Sequence, residues 1–414
     1  MKKCIWMTCL LLVVLTVSVC LFPDDAQPSQ LPRLYLEGDI SGMRYKTDIR
    51  DISFTYVDGD QVTQGFATLK VQGTSSLKYD KRNFTVKLYS DEAHTDKKNL
   101  NVGWGRQNEY CLKANWIDKT HARNIVTANL AADVQSRYGI LTNTPNNGLM
   151  DGFPIELYSN GEFYGLYTLN IPKDAWAFNL DKDNPNHILF ASELYEPSNL
   201  FHEALDPEAW ELEVGKEEAY AYEKLSELID FVRNSSDEEF REQFSDHFNL
   251  DAALNYYVLM DFALLNDNRA KNMLLLTYDA RHWYLCLYDM DTSWGAKFDG
   301  LSLYDYRVEP LIYSISNLYV RMENLFTEEL AQRYFDLKED FLNKESVMAR
   351  FEAFRARIPE ESFRKEQEKW GTDIPGFDYD QIEDFLDTMI PYLDNKYSGM
   401  LEGIPPEPVY PANK

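Results

Sequence analysis

Disulfide chemistry has little to work with in this chain. Of its five cysteines, three fall in the first 20 residues, which leaves Cys111 and Cys286. Each of these sits in an apolar, strand-like run, so both read as buried free thiols rather than as a bridge or a metal pair. The six histidines are scattered, without H-x-x-x-H or Cys/His ligand spacing, and zinc chemistry is not expected. No G-x-S-x-G elbow is present to suggest a serine hydrolase, and no internal repeat. Basic charge is also scarce: 41 Lys and Arg stand against 68 Asp and Glu, a net charge of −27. That balance argues against nucleic acid or a broad anionic membrane footprint as partner, since both need a basic face. Most of the excess is a solubilising surface, and the remainder suits a basic substrate or a metal ion.

What is present is globular. The 414 residues are 44% hydrophobic and 14% aromatic, long enough for one two-lobed unit or two domains. Lys2 and Lys3 precede an apolar run from Cys4 to Phe22, which reads as a signal peptide or signal anchor over residues 1–22 that sends the rest of the chain outward. Val19 before Cys20 is a poor fit to a lipoprotein site. Any membrane contact is expected through this segment alone. A polar spacer, residues 23–31, follows it.

Residues 32–173 read as a β-rich lobe, because short alternating runs such as LYLEG, ISFTYVDGD, FATLKVQG and NFTVKLY are separated by turn residues. The loop Gly73-Thr74-Ser75-Ser76 offers amides and hydroxyls to an anion, or is an ordinary hairpin loop. Glu109 to Trp116 is a strand, and Thr120 is placed to cap a helix over Ala122 to Tyr138. A strand lysine ahead of a helix is how protein kinases contact nucleotide phosphates, and Lys113 fits that spacing better than Lys87. Asn160-Gly161 marks a hairpin within Phe153 to Leu169. Residues 181–199 read as polar and turn-rich. They fall in a second, mainly helical lobe over residues 174–403, in which helical patterns dominate from Lys216 onward, with candidates at 216–233, 237–247 and 250–265. Ala296 to Leu318 is irregular and aromatic, a candidate substrate loop. The proline-rich tail, 404–414, reads as disordered.

The stretch Asn266 to Gly295 carries the chemistry. Asp267 and Asn272 are spaced D-x-x-x-x-N, and two apolar runs around a polar turn lead to Asp289-Met290-Asp291. A hairpin there brings Asp289 back to the end that holds Asp267 and Asn272. Metal-assisted phosphoryl transfer needs such a set: Asp267 as base, Asn272 and Asp289 as hard oxygen ligands for magnesium, and Asp291 as a further ligand or orienter. Trp283, on the second run, offers a flat face to an adenine ring. An EF-hand calcium loop fits poorly, since Trp294 stands where glycine is needed and Gly300 where the bidentate Glu belongs.

In their order the motifs resemble the CotH (spore coat protein H) kinase family, an atypical branch of the protein-kinase-like fold. The resemblance rests on Val71-Gln72-Gly73-Thr74-Ser75-Ser76, on Leu112 to Asp118 with Arg123-Asn124, on Asn160 to Tyr167, and on Asp267, Asn272, Trp283 and Asp289-Met290-Asp291. It implies an α+β, two-lobed fold and transfer of phosphate from ATP, with Mg2+ or Mn2+, to Ser or Thr of a protein. Asp267 and Asp289 match the family's catalytic and metal-binding aspartates, Asn272 its metal ligand and Trp283 its adenine neighbour. Gln72 and Ile171 depart from the pattern, at positions where Arg and an acid are common. A coat or surface protein rich in Ser and Lys is the expected acceptor. The competing expectation is an exported surface adhesin or structural module of the same fold without turnover.

Overall fold

Alternation in the first third of the chain buries one face of each strand, and the buried faces close on each other. The computed structural model describes residues 31–300, 302–303, 316–371 and 379–404. The apolar start, most of the candidate substrate loop and nearly all of the proline-rich tail lie outside these residues. Strands β1 (Arg33–Glu37), β2 (Ile49–Asp58), β3 (Gln61–Gln72), β4 (Asn83–Tyr89), β5 (Glu109–Lys113), β6 (Gly152–Ser159) and β7 (Glu162–Asn170) form a closed barrel in the order β1-β2-β3-β4-β5-β7-β6. Its seam is the one parallel pairing, β1 with β6, with Leu34 opposite Leu157. Leu36, Phe54, Leu69, Val86, Leu112, Ile155 and Leu169 fill its interior. Between β5 and β6 runs α1 (Arg123–Arg137), buried over most of its length. At its start the Thr120 hydroxyl accepts from the Ala122 N–H at 3.1 Å, as expected of a cap, and the Asp118 carboxylate adds a second bond from the Arg123 N–H at 2.9 Å.

The second body holds a four-stranded antiparallel sheet, β11-β10-β8-β9, from β8 (Ile188–Ser192), β9 (Trp210–Val214), β10 (Met273–Thr277) and β11 (Trp283–Leu287). Strand β8 lies inside the stretch expected to be turn-rich; five apolar or small residues suffice for a strand covered on both faces. Helices α2 (Glu218–Asn234), α3 (Asp237–His247) and α4 (Leu250–Phe262) follow. The last, LDAALNYYVLMDF, is apolar all round and lies at the centre of the largest core cluster. Beyond it come α5 (Asn317–Leu325), α6 (Thr327–Lys338), α7 (Lys344–Ala356), α8 (Glu360–Trp370) and α9 (Tyr379–Leu401).

The chain is therefore α+β, with a β-rich part first and a helical part after it. Helix α8 returns to the barrel. Lys81, at 0% side-chain exposure, pairs with Glu366 at 2.6 Å and donates to the carbonyls of Ala114 and Leu166; the other Glu366 oxygen accepts from Leu166 N at 2.7 Å. Cys111 and Cys286 are buried free thiols, and burial pushes the Cys111 thiol up to about 11.

Candidate active site

The register of one hairpin decides where the acids meet. Met273 pairs with Leu287, so the residues just before β10 and just after β11 lie at the same end of the sheet. There the Asn272 amide donates to the Asp289 carbonyl at 3.3 Å. Asn268, fully buried in the turn that carries Asp267, donates to the carbonyls of Asn272 and Tyr288 at 3.0 and 2.8 Å. Turn and hairpin are thus tied together by backbone contacts. Asn272 and Asp289 both adopt left-handed backbone, at φ 56° and 51°. Residues in that region persist only where the surroundings hold them, and they concentrate at functional sites.

A cleft of about 400 Å³ separates barrel from helical body, and Lys113, Asp267, Asn272, Asp289 and Asp291 all line it. From the barrel side, Lys113 at the end of β5 donates to Asp289 Oδ1 at 3.3 Å. Burial works against the charge on Lys113, but Asp289, Tyr288 and Asp291 hold its pKa well above the usual lysine value. Asp291 is half-buried beside Asp289, and desolvation together with the neighbouring Asp289 charge raises its pKa well above the usual carboxylate range, with Lys113 offsetting this only in part. Burial likewise raises the Asp267 pKa, opposed by a hydrogen bond from the Tyr195 hydroxyl and by Lys271. Over the cleft hangs the loop after β3, where Gly73 has φ 111° and a Cβ would come 2.0 Å from Ser76 Oγ. Only glycine fits that position.

Two of the expected nucleotide contacts lie elsewhere. Lys87 shares the outward face of β4 with Asn83 and Thr85, which line the cleft, but sits one step too far along and pairs with Glu109 at 2.9 Å instead. Trp283 begins β11, at the opposite end from Asp289, is 2% exposed and packs on Phe190 in the core. It offers no face to the cleft, because the sheet is covered on that side.

The cleft also contains residues that the sequence patterns did not single out. Lys173, just past β7, is held by Glu193, Glu211 and Glu213 at 2.7, 3.3 and 2.5 Å, and these four line the mouth. Alternation in WELEV, with Glu211 and Glu213 on one face, was the available signal for the two acids of β9. Nothing local marks Tyr195 or Glu193.

Among the described residues no group of three or more His, Cys, Asp or Glu side chains converges as a ready-made metal cage. Magnesium does not require one: it binds through one or two carboxylates, waters and substrate phosphates. Hard oxygens at Asn272, Asp289 and Asp291, together with negative charge that Lys113 only partly balances, fit a divalent cation.

An α+β protein that sets a buried lysine against a paired-acid loop, with a further carboxylate on the turn beside that loop, has the parts a nucleotide-dependent phosphotransferase uses. The chain belongs to the CotH kinase family: the family model described as CotH kinase protein matches residues 69–400. No curated protein matches the sequence.

Proposed function

We propose that this protein is a protein kinase of the CotH type, transferring the γ-phosphate of ATP to a serine or threonine hydroxyl of a protein acceptor. The observation that carries the reading is the convergence of Lys113, Asp267, Asn272, Asp289 and Asp291 on one cleft. In this reading residues 32–173 form the nucleotide-binding lobe and residues 174–403 the catalytic lobe of a protein-kinase-like fold.

Asn272 and Asp289 hold Mg2+ or Mn2+, with Asp291 as a further ligand; the ion, when bound, neutralises phosphate charge. Lys113 adds its positive charge on the barrel side, and the Gly73 loop lines the same cleft. Asp267 accepts the proton of the acceptor hydroxyl as that oxygen attacks the γ-phosphorus and the bond to the bridging oxygen breaks, releasing ADP. Burial raises its pKa and so makes it a stronger base than an exposed carboxylate. The acids at the mouth and the net charge of −27 support a basic acceptor, such as a Ser/Lys-rich coat or surface protein. Export or anchoring through residues 1–22 puts that acceptor at the cell surface or in a spore coat.

Incubation with labelled ATP, Mg2+ or Mn2+ and a Ser/Lys-rich acceptor tests the proposal. Incorporation is expected, and Asp267→Ala and Asp289→Ala are each expected to lower it by about 10²–10⁴. Wild-type protein that neither binds nucleotide nor transfers phosphate with either metal would overturn it.

A further inference from the structure

Protein kinases require two things in place at once, an ion pair between a strand lysine and a glutamate of the helix that follows, and a metal-binding aspartate loop. Here the first turn of α1 carries no acid, and Lys113 pairs with Asp289 directly. Helix α1 nevertheless reaches the acidic loop by another route. Asn124 Oδ1 accepts from the N–H of Met290, the residue between Asp289 and Asp291, at 3.2 Å. Arg123, with no exposed surface, donates to the Ser293 carbonyl at 2.8 Å and is itself held by Asp118 at 3.4 Å. One turn along, Thr127 shares a hydrogen bond with Ser293 at 3.1 Å and accepts from the Trp294 indole at 2.9 Å. The loop from Met290 to Trp294 is thus fastened at successive points to one face of one helix.

Of these contacts, Asn124 is the one that borders the cleft, and it is also the one that acts between the two candidate ligands. Asp289 is in left-handed backbone, a conformation that persists only while its neighbours hold it. An amide that fixes the very next N–H therefore sets the direction in which both carboxylates point. The contact is made to backbone, so it does not depend on what occupies the cleft.

We propose that Asn124 is a positioning residue for the metal site, holding Asp289 and Asp291 in the geometry that takes a divalent cation. The inference rests on the metal site assigned under the proposed function, but its test does not need phosphate transfer. Residues that orient metal ligands without touching the metal change affinity by about 10–100-fold when removed. Mn2+ binding to the full chain, followed by electron paramagnetic resonance in the presence of a non-hydrolysable ATP analogue, is expected to weaken by about tenfold or more in Asn124→Ala. Asn124→Asp, which keeps an acceptor for the Met290 N–H, is expected to restore affinity to within a few-fold of wild type, with the thermal midpoint of both variants near the wild-type value. A weakened and rescuable Mn2+ affinity supports the proposal whether or not the protein transfers phosphate. Unchanged affinity in Asn124→Ala overturns it even in an active kinase, and so does a loss in both variants that tracks a fall in thermal midpoint.

Discussion

Replacing Glu366 with alanine strands a positive charge inside the molecule. The Lys81 side chain has no exposed surface, and Glu366 is its single carboxylate partner among the described residues. Removing one partner of a buried ion pair costs about 3–5 kcal/mol, because the other charge remains without compensation. A second change separates that penalty from ordinary packing. In Lys81→Met/Glu366→Leu the charge is gone, and what remains is the loss of partners for the carbonyls of Ala114 and Leu166 and for the Leu166 N–H. Those groups together are expected to cost about 1–3 kcal/mol, so the double variant should be the more stable of the two. The pH dependence has a definite sign. Burial lowers the Lys81 pKa and Glu366 opposes that shift, so loss of Glu366 lowers the folded value further. The unfolded chain then binds more protons than the folded one up to the ordinary lysine value, and stability rises with pH across that window. The deficit of Glu366→Ala is therefore largest near neutrality and shrinks as pH rises toward the ordinary lysine value of 10.5. Urea unfolding followed by tryptophan fluorescence at two pH values measures both effects. A deficit of less than about 1 kcal/mol, or a double variant no more stable than the single, refutes the reasoning.

Three further outcomes are expected. Tyr195→Phe removes a hydrogen bond that lowers the Asp267 pKa, so that pKa rises further and the acid limb of the kcat/KM profile moves to higher pH; an unmoved limb separates Asp267 from the rate. Gly73→Val forces a side chain into a φ of 111° and against Ser76, and strain of about 1–3 kcal/mol spent at the cleft roof should raise the KM for ATP by roughly tenfold, read from initial rates. Trp283→Ala should cost about 3–5 kcal/mol in urea unfolding while leaving the nucleotide affinity of the folded fraction unchanged, because the ring is core and not cleft.

The acidic half of the site was legible because it depends on local rules. Two short apolar runs around a tight turn pair antiparallel, and pairing alone carries Asp289 back beside Asn272. Lys113 was legible for the same reason, as a strand residue just ahead of a helix. What escaped the sequence is non-local. Alternation announces β1 and β6 but says nothing of their pairing with each other, 123 residues apart at Arg33 and Glu156, which closes the barrel. Nothing near Lys81 in the chain announces its burial, because its carboxylate partner arrives 285 residues later on α8. Trp283 was misassigned for a related reason: its strand is covered on both faces, so nearness to an acidic motif along the chain did not mean nearness in space.

Barrel closure has a consequence for recognition. An open sheet can capture a protein by letting an extended segment add to its outermost strand, with affinity drawn from main-chain hydrogen bonds that are indifferent to side-chain identity. Here every strand of the β-rich part already has a neighbour on each side, from β1 round to β6 and back. That indifferent mode is closed to this half of the molecule. Under the proposed function, a polypeptide acceptor is told apart there by its side chains, with Lys173 and the acids around the cleft mouth available to make the distinction by charge.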